Sequence, residues 1–111
     1  VAADPALALR DGLLREMPPM QALVMMQLYF QLPRRWDRSG HRGMFFFPDE
    51  RAIRRTMKLR APVYYALVRR LVDGGYLERR HVPHRGLEYR ICFERLKHYL
   101  EPKSPAATGP V

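Results

Sequence analysis

The side chains with the clearest chemistry in this chain are closely spaced basic residues: Arg51, Arg54, Arg55 and Lys58, then Arg60, Arg69 and Arg70, then Arg79, Arg80, His81, His84, Arg85 and Arg90. Seventeen of the twenty basic residues are arginine, whose planar fork matches phosphate oxygens and guanine edges better than an ammonium group does. Tyr65 stands among them with a hydroxyl that can donate to a phosphate. Ala61, Pro62 and Val63 can offer only apolar contact, for instance to a thymine methyl. The chemistry of such a set is recognition of a polyanion. Catalysis is not expected, because the eleven acidic residues are scattered and no nucleophile elbow, phosphate loop or acidic metal cluster is present. His81 and His84 have a spacing that invites a metal, but Cys92 belongs near Leu77 at the far end of the expected hairpin, so neither a metal nor a cofactor is expected.

Charge is unevenly placed along the 111 residues, whose net charge is +9. Residues 1–33 sum to −1, residues 34–47 to +3, residues 48–90 to +6 and residues 91–111 to +1. The positive field falls on the segment that carries the short basic helix described below, which favours nucleic acid as partner. Apolar residues make up 47% of the chain, enough for one packed domain over residues 1–101. The single cysteine forbids an intrachain disulfide and fits a reducing cytoplasm. No apolar run reaches the roughly 18–20 residues of a membrane span, so no membrane partner is expected.

The elements that must position these cations follow from periodicity and from Pro and Gly punctuation. Residues 4–16 predict a helix, with Asp4 as cap, Pro5 in the first turn and Leu7, Leu9, Leu13 and Leu14 as its apolar contacts. After Pro18-Pro19, residues 20–32 predict a second helix whose only polar residues are Gln21, Gln27 and Gln31. So small a domain rarely covers so apolar a helix, so part of residues 1–32 is expected to bury itself against a second copy, with residues 94–100 assisting. The alternative is that residues 20–32 form the central helix of a monomer. A polar loop over residues 34–43 leads to an aromatic strand, Met44-Phe45-Phe46-Phe47. Pro48 or Asp49 opens the next helix, with Ala52, Ile53 and Met57 inward. Tyr64, Leu67, Val68 and Leu71 then recur at i, i+3, i+4 and i+7, one face of a helix over residues 60–73 that Gly74-Gly75 stops. A basic helix between a turn and a strand suits a DNA major groove. Leu87, Tyr89, Ile91 and Phe93 alternate with polar residues, the period of a half-buried strand. That strand pairs with residues 76–82 across the turn Pro83-His84-Arg85-Gly86. A last helix follows over residues 94–101, and residues 102–111 read as a flexible tail or linker.

The order helix, helix, strand, helix, turn, helix, hairpin resembles a winged helix-turn-helix domain, a mostly α fold with a small β-hairpin. Met57, Lys58, Leu59, Arg60, Tyr64, Leu67, Val68, Leu71, Asp73, Gly75, Tyr76 and Leu77 fall on that family's turn-helix-strand pattern without a gap. Residues 43–53, GMFFFPDERAI, look like the strand and helix entry of winged helices in plasmid and phage replication initiators. Arg85-Gly86-Leu87-Glu88-Tyr89-Arg90 resembles the wing of MarR- and PadR-type regulators. Three positions depart from the pattern. Lys58 stands where glycine is usual, Arg60 replaces the usual serine cap, and Ala61-Pro62-Val63 occupy positions that are often polar and base-contacting.

The resemblance implies a homodimeric, cytoplasmic protein that binds double-stranded DNA with modest base readout, as a transcriptional regulator or in plasmid or phage replication or partition. It places Arg60, Ala61, Tyr65, Arg69 and Arg70 on the helix entering the major groove. Arg51, Arg54, Arg55 and Lys58 would position the module on phosphates, and Arg80, His84 and Arg85 would come from the wing. A different class of function remains open: a winged helix serving as a protein–protein interaction module, with the apolar second helix or the basic face as its docking surface.

Overall fold

The structure is a computed structural model that describes residues 5–32 and 44–100, with side chains described from Ala6 to Leu32 and from Met44 to Leu96. The expectations for Asp4, for the loop over residues 34–43 and for the tail lie outside the described residues. Seven elements follow one another: α1 (Pro5–Glu16), α2 (Pro19–Phe30), α3 (Glu50–Met57), α4 (Ala61–Asp73), β1 (Leu77–Val82), β2 (Gly86–Ile91) and α5 (Phe93–Leu100). The protein is mostly helical with one small antiparallel hairpin. No described helix is long and apolar enough to cross a membrane.

α2 is the centre of the packing, with α1 on one side and α4 on the other. It begins at Pro19, where a missing N–H costs nothing, and it buries Ala22, Val24, Met25, Met26 and Leu28. Leu9 and Leu13 of α1 complete that side of the core, whereas Leu7 and Leu14 are exposed. An i, i+4 pair shares one helix face, so a helix covered on one side buries Leu9 and Leu13 and leaves their neighbours outside. α5 lies against α1 and buries Leu96. There the Tyr76 hydroxyl donates to Glu16 Oε2 at 2.7 Å and accepts from Arg95 Nη2 at 3.2 Å.

The second half of the chain is fixed by its turns. Asp49 caps α3, its Oδ1 accepting from the Ala52 N–H at 3.0 Å. The Gln31 side chain, just beyond α2, bonds both the N–H and the C=O of Asp49 and so ties the end of α2 to the start of α3. α4 buries Tyr64, Leu67, Val68 and Leu71, the stripe expected from sequence. It ends in a Schellman motif: Gly75 takes φ 82°, Tyr76 N–H reaches Leu71 O at 3.0 Å and Gly75 N–H reaches Val72 O at 3.1 Å. β1 and β2 pair in the register Leu77↔Ile91 through Val82↔Gly86. At the hairpin tip His84 has φ 64° and Gly86 φ 105°.

The expected strand over Met44–Phe47 is reduced to a single bridge. Phe46 and Tyr89 exchange N–H···O=C bonds, each of 2.8 Å, and the pairing extends no further. Pro48, which lacks an N–H, and the Asp49 cap turn the chain into α3 too soon for a longer ladder.

Lys58 ends α3 in the left-handed region, with φ 56° and ψ 43°. Leu59 N–H bonds Arg54 O at 2.9 Å and Lys58 N–H bonds Arg55 O at 3.3 Å, the same cap that closes α4. The turn therefore keeps the geometry a glycine would give, at the cost of placing a Cβ where L-residues are disfavoured. Lys58→Gly is expected to stabilise the fold by about 1 kcal/mol in urea unfolding; a loss of stability would contradict this assignment of the turn.

Candidate nucleic-acid interface

α3, the turn after it and the first residue of the next turn bring five cations together. Arg51, Arg54, Arg55, Lys58 and Arg60, with Leu59 beneath, line one shallow depression of about 390 Å³ to which no carboxylate contributes. Their grouping follows from helix geometry. Arg51, Arg54 and Arg55 recur at i, i+3 and i+4 on the face of α3 opposite buried Ile53, and Lys58 follows them at the cap. The left-handed turn at Lys58 then swings Arg60 back beside them. Arg60 precedes α4 with extended backbone and makes no side-chain cap bond, so its guanidinium remains available while the first N–H groups of α4 carry a partial positive charge.

The outer face of α4 is Pro62, Val63, Ala66, Arg69, Arg70 and Asp73, all exposed. Its leading half is small and apolar and its trailing half basic. Arg69 approaches Asp73 at 4.0 Å, both side chains mostly in solvent, a pairing too exposed to hold the guanidinium. Ala61 is half-buried. Tyr65 is less open than its place off the apolar stripe suggested. Its ring packs edge-on against Tyr64, centroids 5.0 Å apart, and its hydroxyl lies within the fields of Arg54 and Arg79, with burial the main influence raising its pKa.

Beneath this surface lies a buried polar group. The Tyr89 hydroxyl donates to Glu50 Oε2 at 2.7 Å, and Tyr64, fully buried on α4, feels the same carboxylate. Burial first, and the Glu50 carboxylate second, push both tyrosine pKa values well above the ordinary tyrosine range. Glu50 thus turns toward the hairpin and the core.

The hairpin cations divide by face. Arg79 is paired across the ladder with Tyr89, exposed, and close enough to lower that hydroxyl's pKa. On the opposite face Arg80 donates to the buried Glu88 carboxylate and stacks over Phe45 at 3.9 Å, while Arg90 bonds Glu78. Arg85, at the tip beside exposed His84, lies 4.9 Å from the centre of the Phe47 ring.

The structure therefore gathers Arg51, Arg54, Arg55, Lys58 and Arg60, sets Tyr65 beside Arg54, and leaves Arg69, Arg70, His84 and Arg85 exposed at the ends of α4 and the hairpin. Arg80 is separated from them by its ion pair. Sequence reasoning counted Arg79 among the hairpin cations without giving it a role, and left out Ala66. The signals were present, since Arg79 is two residues from buried Leu77 and so on its face, and Ala66 is three residues after Val63.

Comparison of the chain with family models, with curated proteins and with solved structures returned no match.

In the unfolded chain the Tyr64 and Tyr89 hydroxyls ionise near their ordinary value of 10.0, whereas in the folded protein they keep their protons to higher pH. Their contribution to stability is complete below pH 10 and is lost as pH rises from there toward the folded values. Urea unfolding from pH 9 to 11 should show a decline that is steeper in the native sequence than in Tyr64→Phe/Tyr89→Phe; parallel slopes would mean that the pair is not held protonated.

Proposed function

We propose that this chain is a winged helix-turn-helix protein that binds duplex DNA through α3, α4 and the β1–β2 hairpin. The observation that carries the reading is the depression lined by Arg51, Arg54, Arg55, Lys58 and Arg60 without a carboxylate, placed at the N-terminal end of α4. Five cations at one site repel one another, and a phosphate backbone relieves that repulsion while releasing its own counterions.

In this reading α4 is the recognition helix. Pro62, Val63 and Ala66 are small enough to let its exposed face approach base edges closely, with apolar contact to thymine methyls. The α3 cations and Arg60 hold the backbone on one side, and Arg69 and Arg70 hold it farther along α4. The hairpin is the wing, and Arg85 at its tip reaches the neighbouring backbone or a narrow minor groove. Base readout is modest and phosphate contacts supply most of the affinity. Such a protein serves a regulated promoter or an origin; bound sites repeated beside an origin would assign replication or partition, and isolated operators would assign regulation.

Val63 also supports a second reading. It is 48% exposed at the head of α4, where an apolar side chain equally suits a protein surface. Salt-insensitive binding to a protein, with no retention of DNA, would favour that alternative.

Fluorescence anisotropy with a short duplex across a salt series tests the proposal. If about four phosphates are neutralised per chain, the log–log slope is near −3.5. Arg60→Ala/Arg85→Ala should reduce its magnitude by about 1.8, and Arg80→Ala, already committed to Glu88, should change it far less. Absence of duplex binding at low salt would overturn the proposal.

A further inference from the structure

α1 and α2 each have a second stripe that the other described residues leave exposed. On α2, Met20, Leu23, Gln27 and Phe30 recur at i, i+3, i+7 and i+10; Leu23 is 40% and Phe30 59% exposed. On α1, Leu7, Arg10, Asp11 and Leu14 make the matching row, with Leu7 at 48%. Between the rows runs an apolar cleft lined by Leu7, Arg10, Leu23, Met26, Gln27 and Phe30. Exposed large apolar side chains aligned along two packed helices form a contiguous patch of the kind that marks an interaction site, unlike scattered surface leucines.

Charge selects the occupant. α1 carries Arg10 and Arg15 against Asp11 and Glu16, and α2 carries no charged residue. This two-helix face is therefore neutral in a chain of net charge +9. Two copies can meet here without bringing their cations together, because the described arginines of α3, α4 and the hairpin lie on other elements. The polar residues in the middle of the α1 row are one cation and one anion in sequence, Arg10 and Asp11, which already pair at 3.3 Å. A surface carrying adjacent opposite charges is complementary to itself when rotated by a two-fold axis, as an isologous interface requires.

We infer that this face is where a second copy of the chain docks: α1 and α2 of each copy pack across a two-fold axis into a four-helix interface, with Arg10 of one copy facing Asp11 of the other. Leu23 and Phe30 fill the cleft of the second copy, and the cationic depressions remain free. The inference does not depend on DNA binding and is tested without DNA.

Sedimentation equilibrium on the full chain should give twice the 13.1 kDa of one chain. Leu23→Glu/Phe30→Glu, at exposed positions, should leave circular dichroism unchanged and raise the dimer dissociation constant at least about a hundredfold. Arg10→Asp sets like charges against each other twice by symmetry and should weaken the dimer about tenfold, with Arg10→Asp/Asp11→Arg restoring it. A monomer at every concentration would overturn the inference and leave the cleft to another segment or another protein. A dimer indifferent to Leu23→Glu/Phe30→Glu would place self-association elsewhere, and failure of the exchanged pair to restore association would overturn the two-fold register.

Discussion

Tyr89 is the constraint on which the cationic surface depends. Its ring is fully buried, its backbone exchanges two hydrogen bonds with Phe46, and its hydroxyl donates to Glu50 at the first turn of α3. One residue of the hairpin thereby fixes the incoming chain and the helix that carries Arg51, Arg54 and Arg55. A hydrogen bond from a buried hydroxyl to a charged, half-buried carboxylate is stronger than one between neutral groups, and losing it leaves the buried hydroxyl unsatisfied. The orientation of the hairpin relative to α3 and α4 is therefore set from within the core, and the surface above it inherits that rigidity.

The ends of the helices do comparable work at lower energy. Asp49 and Gln31 secure the start of α3, and left-handed residues close both α3 and α4. These turns bring Arg60 beside the α3 cations, which in sequence are separated from it by a helix terminus. Mutual repulsion among five cations destabilises the empty surface, and the interior bonds hold it in place nonetheless. The same division of labour explains Arg80. A buried Glu88 needs a partner, and the arginine directly across the ladder supplies it at the expense of its availability to a ligand.

Much of this architecture was legible in sequence because the signals were local. The Tyr64, Leu67, Val68, Leu71 stripe marked α4, the alternation around Tyr89 marked β2, and Gly75 marked the end of α4. What was not legible depended on distant partners. Met44–Phe47 has strand-like composition, yet only Phe46 pairs, because Pro48 and the Asp49 cap leave no room for more. Leu7, Leu9, Leu13 and Leu14 read alike as apolar contacts, yet only Leu9 and Leu13 enter the core. Glu88 read as a solvent-facing residue and is buried under Arg80. At the site, spacing put the α3 arginines on one face, but it could not show that Tyr65 leans inward or that a buried Glu88 takes up Arg80.

The central claim is that one cationic face, and not the apolar face on α1 and α2, meets nucleic acid. Two-dimensional NMR of the labelled chain during titration with a short duplex tests this most directly, since it reports position as well as binding. Perturbed amides and arginine side chains should fall on residues 51–70 and around His84 and Arg85, with α1 and α2 unchanged. Perturbations confined to α1 and α2, or scattered over the whole protein, would contradict it.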